Sequence, residues 1–349
     1  MKSGRLFLLL TMVPLFILGG CAGDDGKDGA TGPQGPAGED GTNGTDGTDG
    51  VDGEVRCLEC HNTTAMTEVQ LQYARSQHAF GEYVLYAGGR SSCARCHSGG
   101  GFVEYAMTGE VDGNINVPVA LNCKHCHNVH STFQYADFAL RTTAPVPFIA
   151  DETELYDFGD NSNLCANCHQ SRRAEPALDI PGETYEITST HYGPHHGAQA
   201  NVLMGFGWAE IPGSASYDVT NVHKTAGASC VTCHMGDYSN GTGGHTWLPN
   251  VAACNDCHST SDFNYGNVQN DVQDMLDELR DLLVAAGVVE YVEADAAYEP
   301  VVGTYPMVQA QAFFNWVGLS EDRSKGVHNP KYVKALLSNS IDAMEAPLP

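Results

Sequence analysis

Basic residues are scarce in this chain: 17 Lys and Arg stand against 43 Asp and Glu in 349 residues, a formal net charge of −26. Such a surface disfavours nucleic acid and anionic lipid and steers toward cationic partners, mineral surfaces or metal-ion acceptors. Long apolar runs are lacking as well. Beyond residues 6–18 no stretch reaches membrane-spanning length, so the body is expected to be soluble. Proline is thin where glycine recurs every third residue, from Gly23 to Gly53, with Pro33 and Pro36 alone among ten triplets. Cysteine is nearly absent outside one recurring pattern, which leaves Cys21 as the exception among 13.

That pattern is Cys-x-x-Cys-His, and it occurs six times. The copies are Cys57/Cys60/His61, Cys93/Cys96/His97, Cys123/Cys126/His127, Cys165/Cys168/His169, Cys230/Cys233/His234 and Cys254/Cys257/His258. Chance would supply on the order of 0.02 such pentapeptides at this chain's Cys and His frequencies. Two thiols three residues apart lie near one side of a helical turn, within reach of the two vinyl groups of one haem. The following imidazole then meets the iron from below. Zinc half-sites do not require a His fused behind the second Cys each time. A thioredoxin-like motif would occur once, and a disulfide framework leaves the invariable fifth residue unexplained. The expectation is a chain with six covalently bound c-type haems.

Before the motifs come two segments of other character. Lys2 and Arg5 precede the apolar run, which closes on Leu18-Gly19-Gly20-Cys21. So short a run with a small-residue ending is expected to be an export signal over 1–20 rather than a span. Leu-Gly-Gly-Cys resembles a bacterial lipobox, which implies a lipidated Cys21. Ala22 after it favours the outer membrane of a diderm bacterium. Residues 21–53 then form the lipidated tether. Only Gly fits at a collagen axis, so the Gly-x-y period reads as a trimerising stalk and hence a homotrimer. Against that stand the proline shortage and the Asp residues at most y positions, which would repel one another. An extended acidic tether of up to about 90 Å is the other reading.

The hexahaem domain is expected over 54–265, mainly α with long loops, packed around haems that replace much of an aliphatic core. Short gaps, from 93 to 123 and from 230 to 254, suggest close neighbours. Residues 266–349 read as C-terminal helices, a hairpin or bundle, without motifs. Val268, Val272, Met275, Leu276, Leu279, Leu282 and Leu283 recur at helical spacing before Gly287. A second helix is expected from Met307 to Val317, ended by Gly318. A third starts at Asn329-Pro330 with Val333, Leu336, Leu337, Ile341 and Met344 inward.

Six of the 15 His are proximal, which leaves nine for the other faces of six irons. Candidates for distal ligands are His78, His130, His191, His195, His196, His223 and His245. His125, inside a motif, is expected to be exposed, and His328 to be structural at a helix start. Irons closed on both faces bind no substrate, which argues for electron transfer over catalysis.

The stretch from His223 to His258, with Val-His-Lys, Ser-Cys-Val-Thr-Cys-His-Met, Gly-His-Thr and Cys-Asn-Asp-Cys-His, resembles the end of the multihaem nitrite reductase, hydroxylamine oxidoreductase and cytochrome c554 superfamily. Gly-Val-His-Asn-Pro in the tail adds to that likeness. It implies a mainly helical fold with haems in stacked and perpendicular pairs. The Cys-x-x-Cys-Lys that usually marks the catalytic haem of nitrite reductases has no counterpart here. The N-terminus is similar to those of outer-membrane decahaem cytochromes of metal-reducing bacteria. The resulting expectation is an outer-membrane-anchored electron carrier, facing other cytochromes or extracellular acceptors, with no catalytic residue assigned. The competing class is a reductase or oxidase of a small nitrogen or sulfur compound at one open iron.

Overall fold

The computed structural model describes residues 63–129, 139–159, 161–176 and 183–347. The export signal, Cys21, the Gly-x-y stretch, the first motif (Cys57, Cys60 and His61) and His130 lie outside the described residues. Those that are described belong to one unit, Val51–Pro349.

The first half is a string of short helices. These are α1 (Thr63–Tyr73), α2 (Gln77–Phe80), α3 (Val84–Ala87), α4 (Ser91–His97), α5 (Gly99–Thr108) and α6 (Cys123–Cys126). Several carry their own start and stop signals. Ser76 accepts from the Ala79 N–H to open α2, and Gly81, at φ +57°, closes it. A hairpin of β1 (Val146–Phe148) and β2 (Asp151–Tyr156) follows, then α7 (Ser162–Ala166), β3 (Thr184–Ile187), α8 (Gln199–Met204), α9 (Val222–Thr225) and α10 (Cys230–His234). Three 3₁₀ turns, Gly244–Thr246, Val251–Asp256 and Tyr265–Asn267, lead to the tail.

The tail is built from α11 (Val268–Ala285), the hairpin β4 (Val289–Val292) and β5 (Ala297–Pro300), β6 (Gly303–Pro306), α12 (Met307–Asp322) and α13 (Pro330–Glu345). β6 pairs antiparallel with β3, Thr184 opposite Pro306, and so stitches the tail to the motif-bearing part. Val268, Val272, Leu276, Leu279 and Leu283 form the buried stripe of α11 at helical spacing. Pro330 sits at the first position of α13, where its missing N–H costs nothing. α12 differs: Phe313, Phe314 and Ala312 are fully buried, and so is Asn315, whose amide donates to the Ala209 carbonyl at 2.8 Å and accepts the Ala209 N–H at 3.0 Å.

Gly318 does not end this helix, which runs on to Asp322. A Cβ there would lie 2.5 Å from both Pro194 and the Trp208 ring, so the glycine serves close packing rather than termination. Gly287, by contrast, does follow α11 at φ +71°.

Apolar burial is uneven. The larger core joins α11, α12 and α13 with Ile187, Val202, Trp208 and Ile211. A smaller one holds Val146, Phe148, Phe158, Ala166, Ala200 and Leu203. From residue 63 to 127 the buried hydrophobic residues are Ala87, Ala94 and Phe102, and 222–258 supplies none. The segments that carry the second, third, fifth and sixth motifs therefore have little apolar packing of their own, whereas the fourth motif places Ala166 in the smaller core. No helix among the described residues is long and apolar enough to cross a membrane.

Candidate cofactor site

The described motifs sit on single helical turns: the second in α4, the third in α6, the fourth across the end of α7, the fifth in α10 and the sixth in Val251–Asp256 and the residues after it. A turn places residues i, i+3 and i+4 along one side, so two thiols and one imidazole share a face. Ten of the motif cysteines lie among the described residues, and none of them is in a disulfide with another. Among the described residues no three His, Cys, Asp or Glu side chains converge as a metal-ion site.

His61, the proximal candidate of the first motif, falls with Cys57 and Cys60 outside the described residues, so its centre has no geometry here. Cys257 departs from the α-helical turn that the motif spacing predicts. It lies just past the 3₁₀ turn Val251–Asp256, at φ −126° and ψ −28°, and is exposed like Cys123, whereas the other described motif thiols are half-buried. A 3₁₀ turn eclipses residues i and i+3, so the departure comes from the non-helical backbone of Cys257 itself rather than from the tighter winding. Backbone bonds hold the motif together all the same. The Cys257 and His258 N–H groups both donate to the Cys254 carbonyl, at 3.2 and 2.7 Å.

The motif histidines meet other histidines one to one. His97 faces His195 with ring centres 6.0 Å apart. His127 faces His245 at 6.4 Å, and His169 faces His78 at 6.1 Å. His234 faces His328 at 6.3 Å, and His258 faces His223 at 6.2 Å. Two metal–nitrogen bonds of about 2 Å, plus the two ring radii, sum to about 6 Å. The five separations thus fit two imidazoles on opposite sides of one iron, and they are too long for rings stacked in contact.

The outward nitrogens support that orientation. The Nδ1–H of His169 donates to Gln199 Oε1 at 3.1 Å, that of His223 to the Val327 carbonyl at 2.9 Å, and that of His234 to the Trp247 carbonyl at 2.7 Å. His328 donates to Asp322 Oδ1 at 2.7 Å. In the first three Nε2 is left as the lone-pair nitrogen; at His328 burial opposes the charged ring, but Asp322 outweighs it and holds the imidazole above its ordinary value. Metal ligation also requires neutral imidazole, which burial favours. Burial, with His169 adding to it, pushes His78 down to about 4; burial and then Arg172 push His195 to about 4. Burial likewise lowers His97, His169, His223, His234 and His245.

The motifs touch one another in an order different from that of the chain. Arg95 in the second motif donates through Nη2 to the Asn167 carbonyl at 3.2 Å, and Cys168 Sγ lies 3.6 Å from the Arg95 carbonyl. The second and fourth motifs are thus back to back. Ser162 and Ser229 share a hydroxyl hydrogen bond at 2.8 Å, and Ser162 Oγ accepts the Val231 N–H at 3.1 Å, so the fourth motif abuts the fifth. Asn250 N–H donates to the Cys233 carbonyl at 3.1 Å and ties the fifth to the sixth. The short gap between motifs five and six does mean close neighbours; the contact of two with four has no signal in the spacing.

Three observations test whether a macrocycle belongs between the facing rings. The donor set is right: two thiols and two imidazoles per centre. The described segments around the second, third, fifth and sixth motifs bury few or no hydrophobic side chains. Arg95 Nε is buried without a hydrogen-bond partner among the described residues, although its guanidinium stacks 3.9 Å over Tyr105. A propionate carboxylate is the chemistry such a donor takes. The residues fit the group.

Placement of the remaining histidines departs from expectation. His328 is not merely structural at a helix start: it precedes α13 and faces His234. His125 is buried at 3% exposure, where its Nδ1 accepts the Asn122 N–H at 2.9 Å as part of the cap of α6. His196 pairs with Glu321 at 2.7 Å, and neither His196 nor His191 faces a described motif histidine. Trp247 carries no signal in the motif spacing. Its ring lies 4.7 Å from His78 and 5.4 Å from His245, and its backbone takes φ +54°. A non-glycine in that left-handed conformation marks a site held by its surroundings.

Residues 201–347 match the family model described as cytochrome c552. No curated protein matches the chain. The crystal structure of the outer cell wall cytochrome OcwA is similar to this chain at a TM-score of 0.52 and 18% sequence identity, covering 79% of this chain and 50% of that one. This chain therefore spans about half the length of that structure, and at such identity the likeness is one of fold.

Proposed function

We propose that this multihaem c-type cytochrome works as an electron carrier of the cell envelope, anchored through a lipidated Cys21 to the outer membrane and delivering electrons to a partner cytochrome or an extracellular acceptor. The observation that supports it best is the set of five facing imidazole pairs. When bound, each haem supplies a one-electron iron couple. The residues His97, His127, His169, His234 and His258, with His195, His245, His78, His328 and His223 opposite them, would close each iron on both faces. A closed iron exchanges electrons with little rearrangement and excludes substrate. The twelve motif cysteines, Cys57, Cys60 and Cys257 included, would hold six haems covalently, with His61 as the proximal ligand of the first. Contacts from motif two to four, four to five and five to six are in keeping with a relay along those four centres. The net charge of −26 would favour cationic partners or mineral and metal-ion acceptors. The outer-cell-wall description of the structurally similar cytochrome is in keeping with an envelope location.

Spin state decides between this carrier and a reductase of small nitrogen or sulfur compounds. Electron paramagnetic resonance of the purified oxidised protein is expected to show low-spin centres throughout, with a haem-to-protein ratio of about six. A high-spin signal that shifts on adding nitrite or hydroxylamine would sink the carrier reading. For the anchor, Cys21→Ser is expected to move the cytochrome from the membrane to the soluble fraction, and the native-state mass of protein with and without residues 21–53 tests the homotrimer.

A further inference from the structure

The ring that faces His234 is held differently from the others. α12 ends on Asp322, and Arg323 takes φ +60° and turns the chain back. Asp322 is left with its side chain 1% exposed, and its carboxylate meets two donors. One is the Ser324 hydroxyl at Oδ2; the other is His328 Nδ1–H at Oδ1, 2.7 Å away. Ser324 Oγ in turn accepts the His328 N–H at 3.4 Å, so the loop from 322 to 328 is closed on itself around the carboxylate. No Lys or Arg pairs with Asp322 among the described residues' salt bridges; His328 is its partner.

Four paired rings have a described Nδ1 acceptor. Three of these acceptors are neutral dipoles: the Gln199 amide, the Val327 carbonyl and the Trp247 carbonyl. The fourth is this carboxylate. A desolvated anion accepts far more strongly than a carbonyl, draws the Nδ1 proton and gives the ring imidazolate character. Added donation and added negative charge both favour ferric over ferrous iron.

We propose that Asp322 is a positioning residue that makes the centre between His234 and His328 the lowest in reduction potential of the five facing pairs. The proposal rests on those pairs being axial ligands. Because the fifth motif lies between the fourth and the sixth, the consequence is a relay step that stays oxidised while its neighbours are reduced. Electrons then cross it without residing there.

The test uses the purified, haem-loaded protein, followed by optical and paramagnetic-resonance redox titration. Asp322→Asn keeps the shape and removes the charge. It is expected to raise the potential of the lowest-potential component, so that its oxidised-to-reduced ratio at a fixed ambient potential falls at least tenfold, about 59 mV for one electron. One low-spin signal should shift with it while the haem content stays whole. Ser324→Ala removes the donor that competes for the carboxylate, so the same component is expected to fall. A fully loaded, low-spin Asp322→Asn protein whose lowest component stays put overturns the inference, as does movement confined to a higher component. Should Asp322→Asn not load haem, Ser324→Ala decides alone: a fall supports the inference, and no change or a rise overturns it. Wild-type protein that is high-spin at this centre overturns the ligation reading and this inference together, whereas an unmoved low-spin centre overturns the inference alone.

Discussion

His234 and His328 face each other at 6.3 Å between ring centres, one from a pentapeptide motif and the other from the loop that opens the last helix. His328 is therefore expected to behave as a sixth ligand. His328→Ala should convert one low-spin haem to high spin and leave covalent haem content unchanged, because the thioethers at Cys230 and Cys233 are untouched. Paramagnetic resonance and pyridine haemochrome assay read the two quantities separately. A fully low-spin variant would mean that His328 only packs there.

Ring orientation separates the five pairs into two classes. His97 with His195, His78 with His169, and His223 with His258 are crossed at 66°, 75° and 84°. His127 with His245 and His234 with His328 lie at 37° and 34°. Crossed axial rings leave two iron d orbitals nearly degenerate, and near-parallel rings split them. Three described centres should therefore give strongly anisotropic ferric signals and two should give ordinary rhombic ones. Spectra in which all five are rhombic would show that the planes are set otherwise once haem is bound.

Trp247 joins three centres. Its ring walls His78 and His245, and its carbonyl holds His234 Nδ1 at 2.7 Å. Trp247→Ala removes the wall and keeps the carbonyl. With a half-buried indole lost, stability should fall by about 2 kcal/mol. The sites of His169 with His78 and of His127 with His245 should lose low-spin character on warming before that of His234 does. Thermal melts together with variable-temperature optical spectra check both halves. Trp247→Phe should recover most of the loss.

Local signals made part of this molecule readable without coordinates. The pentapeptides announce their chemistry because covalent attachment needs a fixed spacing within one helical turn. The stripe from Val268 to Leu283 and Pro330 at a helix start are likewise local, and the helices stand where those residues point. Ligand pairing is not local. His78 meets His169, and His223 meets His258, through tertiary structure that no spacing encodes. His328 sits in Gly-Val-His-Asn-Pro, whose Asn-Pro marks a helix start and masks the second role; the acidic residue six positions earlier gains meaning only once α12 ends on it. Gly318 misleads for a related reason. Glycine in a helix interior reads as a stop until the Trp208 ring and Pro194 are seen against it. His125, polar and next to a motif cysteine, reads as exposed until its ring is found capping α6.

That cap makes a last prediction. A Cβ on Gly99 would fall 2.2 Å from His125 Cε1 and 2.3 Å from Nδ1, so alanine cannot be accommodated unless the ring moves. Movement of the ring breaks its acceptance of the Asn122 N–H and loosens the turn that carries Cys123 and Cys126. Overpacking costs about 1–3 kcal/mol and a lost cap about 1 kcal/mol. Gly99→Ala is therefore expected to lower stability by about 2–4 kcal/mol. Peptide mass spectrometry should also find less haem on the third motif than on the second. The cause is isolated by the double variant. His125→Ala forfeits the cap but opens the space, so adding Gly99→Ala to it should cost almost nothing more, which amounts to a coupling of about 1 kcal/mol or larger. Strictly additive losses would place the strain elsewhere, against the Gly99 backbone rather than the imidazole.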